Sequence, residues 1–149
     1  MDRGEFESRS PEETFALGEK FGARLGGGEM ILLSGGLGAG KTLFTKGILG
    51  GLDFDVDEVT SPSFTLVNLY KTEKFDVYHI DLWRIDAEGA DAAFAVGLDE
   101  ILEDKTAIVI VEWSERLKNF PFPEKTFRVK IAGDGEEARK ISILQRAEV

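Results

Sequence analysis

The sequence predicts an α/β fold: a single domain with a mostly parallel central sheet, flanked by helices and carrying antiparallel hairpin strands. Three observations predict it. Met30 to Leu33 is a short apolar run that enters a glycine-rich turn and then a helical stretch. Ala107 to Val111 is continuous and β-branched, the composition of a strand buried on both faces. Two further pairs of strand-like segments, each joined by a tight polar turn, read as hairpins beside those buried strands.

The chain of 149 residues is long enough for one domain with a buried core. An apolar fraction of 42% and a charged fraction of 31% are those of a soluble globular protein. No apolar run approaches the ~20 residues of a membrane-spanning helix, so no membrane association is expected. The acidic N-terminus is not a signal peptide. The absence of cysteine excludes disulfides and thiolate metal sites and suits a cytoplasmic protein. A net charge of −10, with no block of five basic residues, argues against autonomous binding to DNA or RNA. Such binding draws its affinity from clustered lysines and arginines. An anionic ligand stays compatible where loop amides, a lysine and a metal ion supply positive charge locally.

The first nine residues are polar and are expected to be flexible, leaving residues 10–149 as the folded domain. Ser10 reads as a helix N-cap, Pro11 as the first helical position and Glu13 as the partner in a capping box. Phe15, Leu17, Gly18, Phe21 and Leu25 then give a helical apolar face, ended by Gly26-Gly27-Gly28. After the Met30–Leu33 strand and its turn, a helix through Leu49 offers Leu43, Phe44, Ile48 and Leu49 to the core, with Gly50-Gly51 as its stop. An acidic connector leads to Thr60-Ser61-Pro62-Ser63-Phe64-Thr65, an ordered loop because Pro62 disfavours helix at Ser61. Leu66–Tyr70 and Phe75–Ile80 form the first hairpin across Thr72-Glu73-Lys74. Helical stretches follow at about Ala87–Phe94 and, after a break, at Leu98–Leu102. Phe127–Ile131 and Lys140–Leu144 alternate and form a terminal hairpin across Gly133-Asp134-Gly135. Arg128 and Lys130 share a face of it, read as charge that protects an edge strand, with a small partner-facing basic strip as the alternative.

The turn after Leu33 carries the chemistry. Gly35, Gly40, Lys41 and Thr42 satisfy the phosphate-loop pattern G-x-x-x-x-G-K-[ST]. Gly36, Leu37, Gly38, Ala39 and Gly40 supply backbone N–H groups that curl into an anion-sized nest, and the helix entered at Lys41, Thr42 and Leu43 points its positive end there. Lys41 reaches the β- and γ-phosphates, and the Thr42 hydroxyl takes one position on Mg²⁺. The domain is therefore read as a P-loop nucleoside triphosphatase.

Such a hydrolase also needs an acid for the metal and a group to order the attacking water. Asp81 and Glu112 stand at the ends of predicted strands, where an open α/β sheet presents its crevice. Asp81 is short and suited to Mg²⁺ or one of its waters; Glu112 can order the water or join the metal's outer shell. The residues alone do not divide these roles. Ser61, Ser63 and Thr65 either bond a γ-phosphate or a metal water, as a switch loop does, or form a hydroxyl-rich turn with no ligand. Trp113 either stacks on a purine or fills the core. His79, the only histidine, either holds a backbone carbonyl or senses the nucleotide. Arg84 and Arg116 are candidates for phosphate contact, with surface ion pairing the alternative.

Four segments together resemble the TsaE family of bacterial tRNA threonylcarbamoyladenosine biosynthesis. They are Gly35 to Thr42, Thr60-Ser61-Pro62-Ser63-Phe64, His79-Ile80-Asp81-Leu82-Trp83-Arg84 and Glu112-Trp113-Ser114-Glu115-Arg116. Gly97-Leu98-Asp99-Glu100 adds to the likeness. The resemblance implies a P-loop domain that binds ATP and Mg²⁺ and hydrolyses ATP slowly by itself. It implies work with the TsaB–TsaD pair, which modifies adenosine 37 of tRNA, with tRNA held through those partners. By matching positions, Lys41 binds phosphate, Thr42 and Asp81 serve the metal, Glu112 assists hydrolysis, Trp113 lies near the nucleotide, and Ser61 to Thr65 form a switch-like loop. Gly36 stands where the family pattern expects aspartate, Leu43 replaces a second hydroxyl, Ser63 replaces threonine and Trp83 replaces tyrosine. Two other functions share the loop. A small-molecule kinase would carry an arginine-bearing lid, and a GTP switch an Asn-Lys-x-Asp segment; neither is visible.

Overall fold

The structure, a computed structural model, describes residues 4–36, 38, 40–62, 65–133 and 136–145. Seven strands form one sheet in the order β1-β7-β6-β2-β5-β4-β3. They are β1 (Gly4–Ser8), β2 (Met30–Ser34), β3 (Val67–Lys71), β4 (Asp76–Asp81), β5 (Ile108–Glu112), β6 (Thr126–Ala132) and β7 (Arg139–Gln145). The central four, β6, β2, β5 and β4, run parallel; β3 and β7 add to them antiparallel, and β1 pairs antiparallel with β7. This is the mixed, mostly parallel α/β sheet expected from the buried runs at Met30 and Ala107.

One face of the sheet is covered by α1 (Pro11–Ala23) and α2 (Lys41–Gly51), which bury Phe21, Phe44, Ile48 and Leu49 against Ile31, Leu33, Ile110 and Val129. The other face holds the short α3 (Ala90–Ala95) and α4 (Leu98–Ile101) over Met30, Leu32, Ile80, Val109 and Val111. The Ser10 hydroxyl accepts from the Glu13 N–H at 3.1 Å, as the N-cap pattern requires. The return half of the box is displaced by one residue: the Glu13 carboxylate accepts from Arg9 N–H at 3.2 Å. In the first hairpin the Thr72 hydroxyl donates to the Phe75 carbonyl and accepts its N–H, which closes the turn. Among the described residues no helix is long and apolar enough to cross a membrane.

Three expectations are corrected. The N-terminus is not frayed through residue 9: Gly4–Ser8 is strand β1, paired in register with Arg139–Ile143. Phe6 packs on the core between exposed Glu5 and Glu7, and the buried Ser8 hydroxyl bonds Thr14 Oγ1 at 2.6 Å. Gly50-Gly51 does not stop α2, which runs through both. Instead, glycines let α1 and α2 touch backbone to backbone. A Cβ at Gly22 would sit on the Ile48 carbonyl, and one at Gly47 on that of Phe15. Finally, β6 is an interior strand, so Arg128 and Lys130 do not guard an edge. They project from the sheet face opposite α1 and α2, beside Ser34, Gly35 and Gly36.

Candidate functional site

Because β2, β4 and β5 are parallel, their C-terminal ends share one rim of the sheet. The phosphate loop leaves β2 at that rim. Gly40 caps α2 at φ +112°, and Gly38 lies at φ +77°, conformations that side-chain-bearing residues rarely adopt. The cap carries no side chain to satisfy the first amides of α2, and no acidic residue occupies its first turn. Among the described residues no side chain caps this eleven-residue helix, so it opens towards the loop with a positive dipole end, which favours an anion.

A cavity of about 410 Å³ adjoins that helix start. Gly38, Gly40, Lys41, Thr42, Leu43, Ser61, Asp81, Trp83, Arg84, Glu112 and Trp113 line it. The structure therefore brings together the loop lysine and threonine, both strand-end acids, Ser61 and Trp113. Leu37, Ala39 and Ser63, expected to belong to the same site, lie outside the described residues. Gly36 is exposed and lines a different groove on the far side of the loop, with Arg128 and Lys130.

Lys41 is buried, with Nζ donating to the Gly35 carbonyl at 2.6 Å and standing 4.0 Å from the centre of a Trp113 ring. Among the described residues it makes no salt bridge. A buried ammonium held by a carbonyl and an indole face is ready to exchange those partners for a phosphate. Trp113 takes the left-handed backbone conformation (φ 59°) that turns the chain after β5. Its ring also packs on Trp83, with centroids 4.5 Å apart. Trp113 thus packs against the core on the α3–α4 face and also walls the cavity beside the lysine.

Asp81 and Glu112 are register partners on β4 and β5, and both are buried. Burial pushes the Asp81 carboxyl above its ordinary value; the Trp83 N–H that it accepts at 2.9 Å pulls it back, and neighbouring Glu112 raises it further. A desolvated acid beside a second acid is a place where a cation lowers the energy. Among the described residues no three His, Cys, Asp or Glu side chains converge to hold a metal alone. The donors are instead Asp81, Glu112 and the Thr42 hydroxyl, all oxygen. That set suits Mg²⁺, which takes one or two carboxylates and fills its shell with water and substrate oxygens.

The loop carrying Ser61 is pinned at both ends. Tyr70 Oη donates to the Thr60 carbonyl and accepts its N–H, while Asn68 bonds both Thr60 and Thr65. His79 is fully buried and bonds the Glu112 carboxylate at 2.6 Å, so it does not hold a backbone carbonyl. Arg116 donates to the Trp83 carbonyl at 3.3 Å, bracing the turn after Asp81, whereas Arg84 lines the cavity itself. A second cavity shares Gly38, Gly40 and Leu43 and extends to Ser8, Ser10, Thr14 and Arg139. Arg139 donates to the Gly38 carbonyl at 3.3 Å. The sequence offers no signal for this region, because only the pairing of β1 with β7 brings Ser8 and Arg139 to the loop.

Comparison with known proteins bears on the chain as a whole. The profile of the family described as threonylcarbamoyl adenosine biosynthesis protein TsaE matches residues 8–141. The tRNA threonylcarbamoyladenosine biosynthesis protein TsaE of Bacillus subtilis is 34% identical over 133 residues, covering 89% of this chain and 80% of that one. The protein of the same description from Treponema pallidum is 33% identical over 136 residues, covering 91% and 96%. The crystal structure of Bacillus subtilis YdiB superposes with a TM-score of 0.74 at 29% identity, over 97% of this chain and 86% of that one.

Proposed function

This chain belongs to the TsaE family, and from that premise we propose that it is the ATP-binding, Mg²⁺-dependent and slowly ATP-hydrolysing subunit of the machinery that makes N6-threonylcarbamoyladenosine at position 37 of tRNA, acting with TsaB and TsaD in the cytoplasm. The observation that carries the ATPase reading is the single cavity shared by Lys41, Thr42, Asp81 and Glu112. Loop amides and Lys41 hold the β- and γ-phosphates, and Lys41 gives up the Gly35 carbonyl to do so. Thr42 and Asp81 hold Mg²⁺, which when bound neutralises charge on the phosphate oxygens. Glu112, anchored from below by His79, orders the attacking water. Trp83 and Trp113 shield the cavity from bulk water on one side. The adjoining cavity at Ser10, Thr14 and Arg139 takes the nucleoside end of ATP, since it continues from Gly38 and Gly40. The acidic surface leaves tRNA contact to the partners.

The test has two parts. ATP and GTP binding are compared, and phosphate release to water is followed with and without a mixture of small acceptors. ATP preference and release to water support the reading; phosphoryl transfer to an acceptor faster than hydrolysis would replace it with a kinase. Retention of purified TsaB and TsaD on the immobilised chain, with and without ATP, tests the partnership. No retention in either state overturns that part.

A further inference from the structure

One buried polar contact lies behind the cavity rather than in it. His79 is wholly excluded from solvent, and its Nε2 stands 2.6 Å from Glu112 Oε2. A carboxylate only accepts, so Nε2 carries the hydrogen and donates. Nδ1 has no partner among the described residues. The two residues are not register partners. His79 stands opposite Ile110, and Glu112 opposite Asp81, so the bond runs diagonally from β4 to β5. It ties the Glu112 side chain at one oxygen, back towards the core, while the residue still lines the cavity with Lys41 and Thr42.

An aliphatic side chain would fill the His79 position without an unsatisfied nitrogen, and buried polar atoms without partners are costly. The contact that the imidazole makes in return is the one to Glu112. We propose that His79 is a positioning residue for Glu112: by holding Oε2 it fixes the direction of Oε1 towards the water, or the metal-bound water, in the cavity. A glutamate has three rotatable side-chain bonds, and one anchored oxygen removes most of that freedom before substrate arrives. The inference rests on the ATP-hydrolysis reading, in which Glu112 orders the water.

The experiment uses the full chain with Mg²⁺ and ATP, measuring kcat, KM and, separately, ATP affinity by titration calorimetry. His79→Phe keeps a flat ring and removes the donor; His79→Gln places an amide N–H near where Nε2 stands, and His79→Asn is too short to reach. Loss of an orienting partner typically costs about 10–100-fold, so His79→Phe is expected to lose that much kcat with ATP affinity unchanged. His79→Gln is expected to recover most of the loss and His79→Asn little of it. In a Glu112→Gln background, His79→Phe is expected to change kcat by less than about twofold, because the two act as one unit. Unchanged kcat in His79→Phe overturns the proposal. So does an equal loss with Glu112→Gln already in place, or a loss confined to ATP affinity. If His79→Phe does not fold, the contrast of Gln with Asn decides, and equal kcat in those two overturns it. If the unmodified chain releases no phosphate, alone or with TsaB and TsaD, the hydrolysis reading itself has failed and the proposal falls with it. If the unmodified chain hydrolyses ATP and His79→Phe matches it, the positioning role alone is lost.

Discussion

Asp81 and Glu112 sit side by side as register partners on the parallel strands β4 and β5, both buried, at the rim where the phosphate loop leaves β2. Parallel pairing puts them on the same face as α2, so both open onto the cavity of Lys41 and Thr42. Two carboxylates held this close repel one another, and a cation between nucleotide and protein relieves that repulsion.

The strain should be measurable without any ligand. Burial raises the folded-state pKa of Asp81, so the folded chain binds that proton more tightly than the unfolded chain. Stability contributed by this group is then greatest at low pH and declines as pH rises from the ordinary carboxylate range through the raised value. Asp81→Asn keeps the acceptor for Trp83 N–H and removes the charge. It is expected to melt higher than the parent at neutral pH in the absence of metal and nucleotide, with the gain vanishing towards pH ~4. Thermal melts across that range check it.

The metal-holding role proposed for Asp81 gives the same acid the opposite value once ATP is added. Asp81→Ala is expected to lower Mg²⁺-dependent turnover by about 10–100-fold and to shift the Mg²⁺ requirement upward. A Mg²⁺ titration of phosphate release reads both, and an unchanged Mg²⁺ dependence would identify Glu112 as the principal acid.

Lys41→Ala removes the charged donor proposed to hold phosphate. Such bonds contribute roughly 1.5–3 kcal/mol, so ATP affinity should fall by about 10–100-fold. Calorimetric titration of ATP measures this, and an affinity within a factor of about two of the parent would exclude the phosphate-binding role.

Trp113 combines a ring in the cavity wall with a left-handed backbone. Replacing it with alanine or glycine removes the ring in both cases, but glycine adopts φ 59° without the cost of about 1–2 kcal/mol that a Cβ incurs. Trp113→Gly should therefore be more stable than Trp113→Ala by about 1 kcal/mol in denaturant unfolding, while both weaken ATP binding.

Gly47→Ala tests the helix contact. Alanine ordinarily stabilises a helix relative to glycine by about 1 kcal/mol. Here its methyl group meets the Phe15 carbonyl, and overpacking of about 1–3 kcal/mol reverses the sign. The melting temperature should fall by roughly 2–4 °C for each kcal/mol lost.

Much of the cavity was legible because its parts are local. A glycine-rich loop from Gly35 to Gly40, followed by lysine and threonine, carries its own geometry, and acids at the ends of β-branched runs point to a sheet rim. Trp83 and Arg84 were visible as parts of a motif, yet their place in the cavity wall came from the Trp113 contact and the Arg116 brace. The first strand was not legible: a single Phe6 between acidic residues alternates over too few positions to be told from a tail. Arg128 and Lys130 mislead for a related reason. Alternation in β6 marks one exposed face, and an exposed face occurs on interior strands as well as at edges when no helix covers it.

By itself the sequence determined the phosphate loop, the α/β class and the two candidate acids, since each depends on residue type and on spacing within a few residues. Tertiary structure decided which residues meet across long separations. It set His79 against Glu112, Lys41 against Trp113, and Arg139 against the loop, 33, 72 and 101 positions apart. Those pairings follow from strand order and register, which are settled by how the whole sheet buries its two faces and not by any one segment's preference.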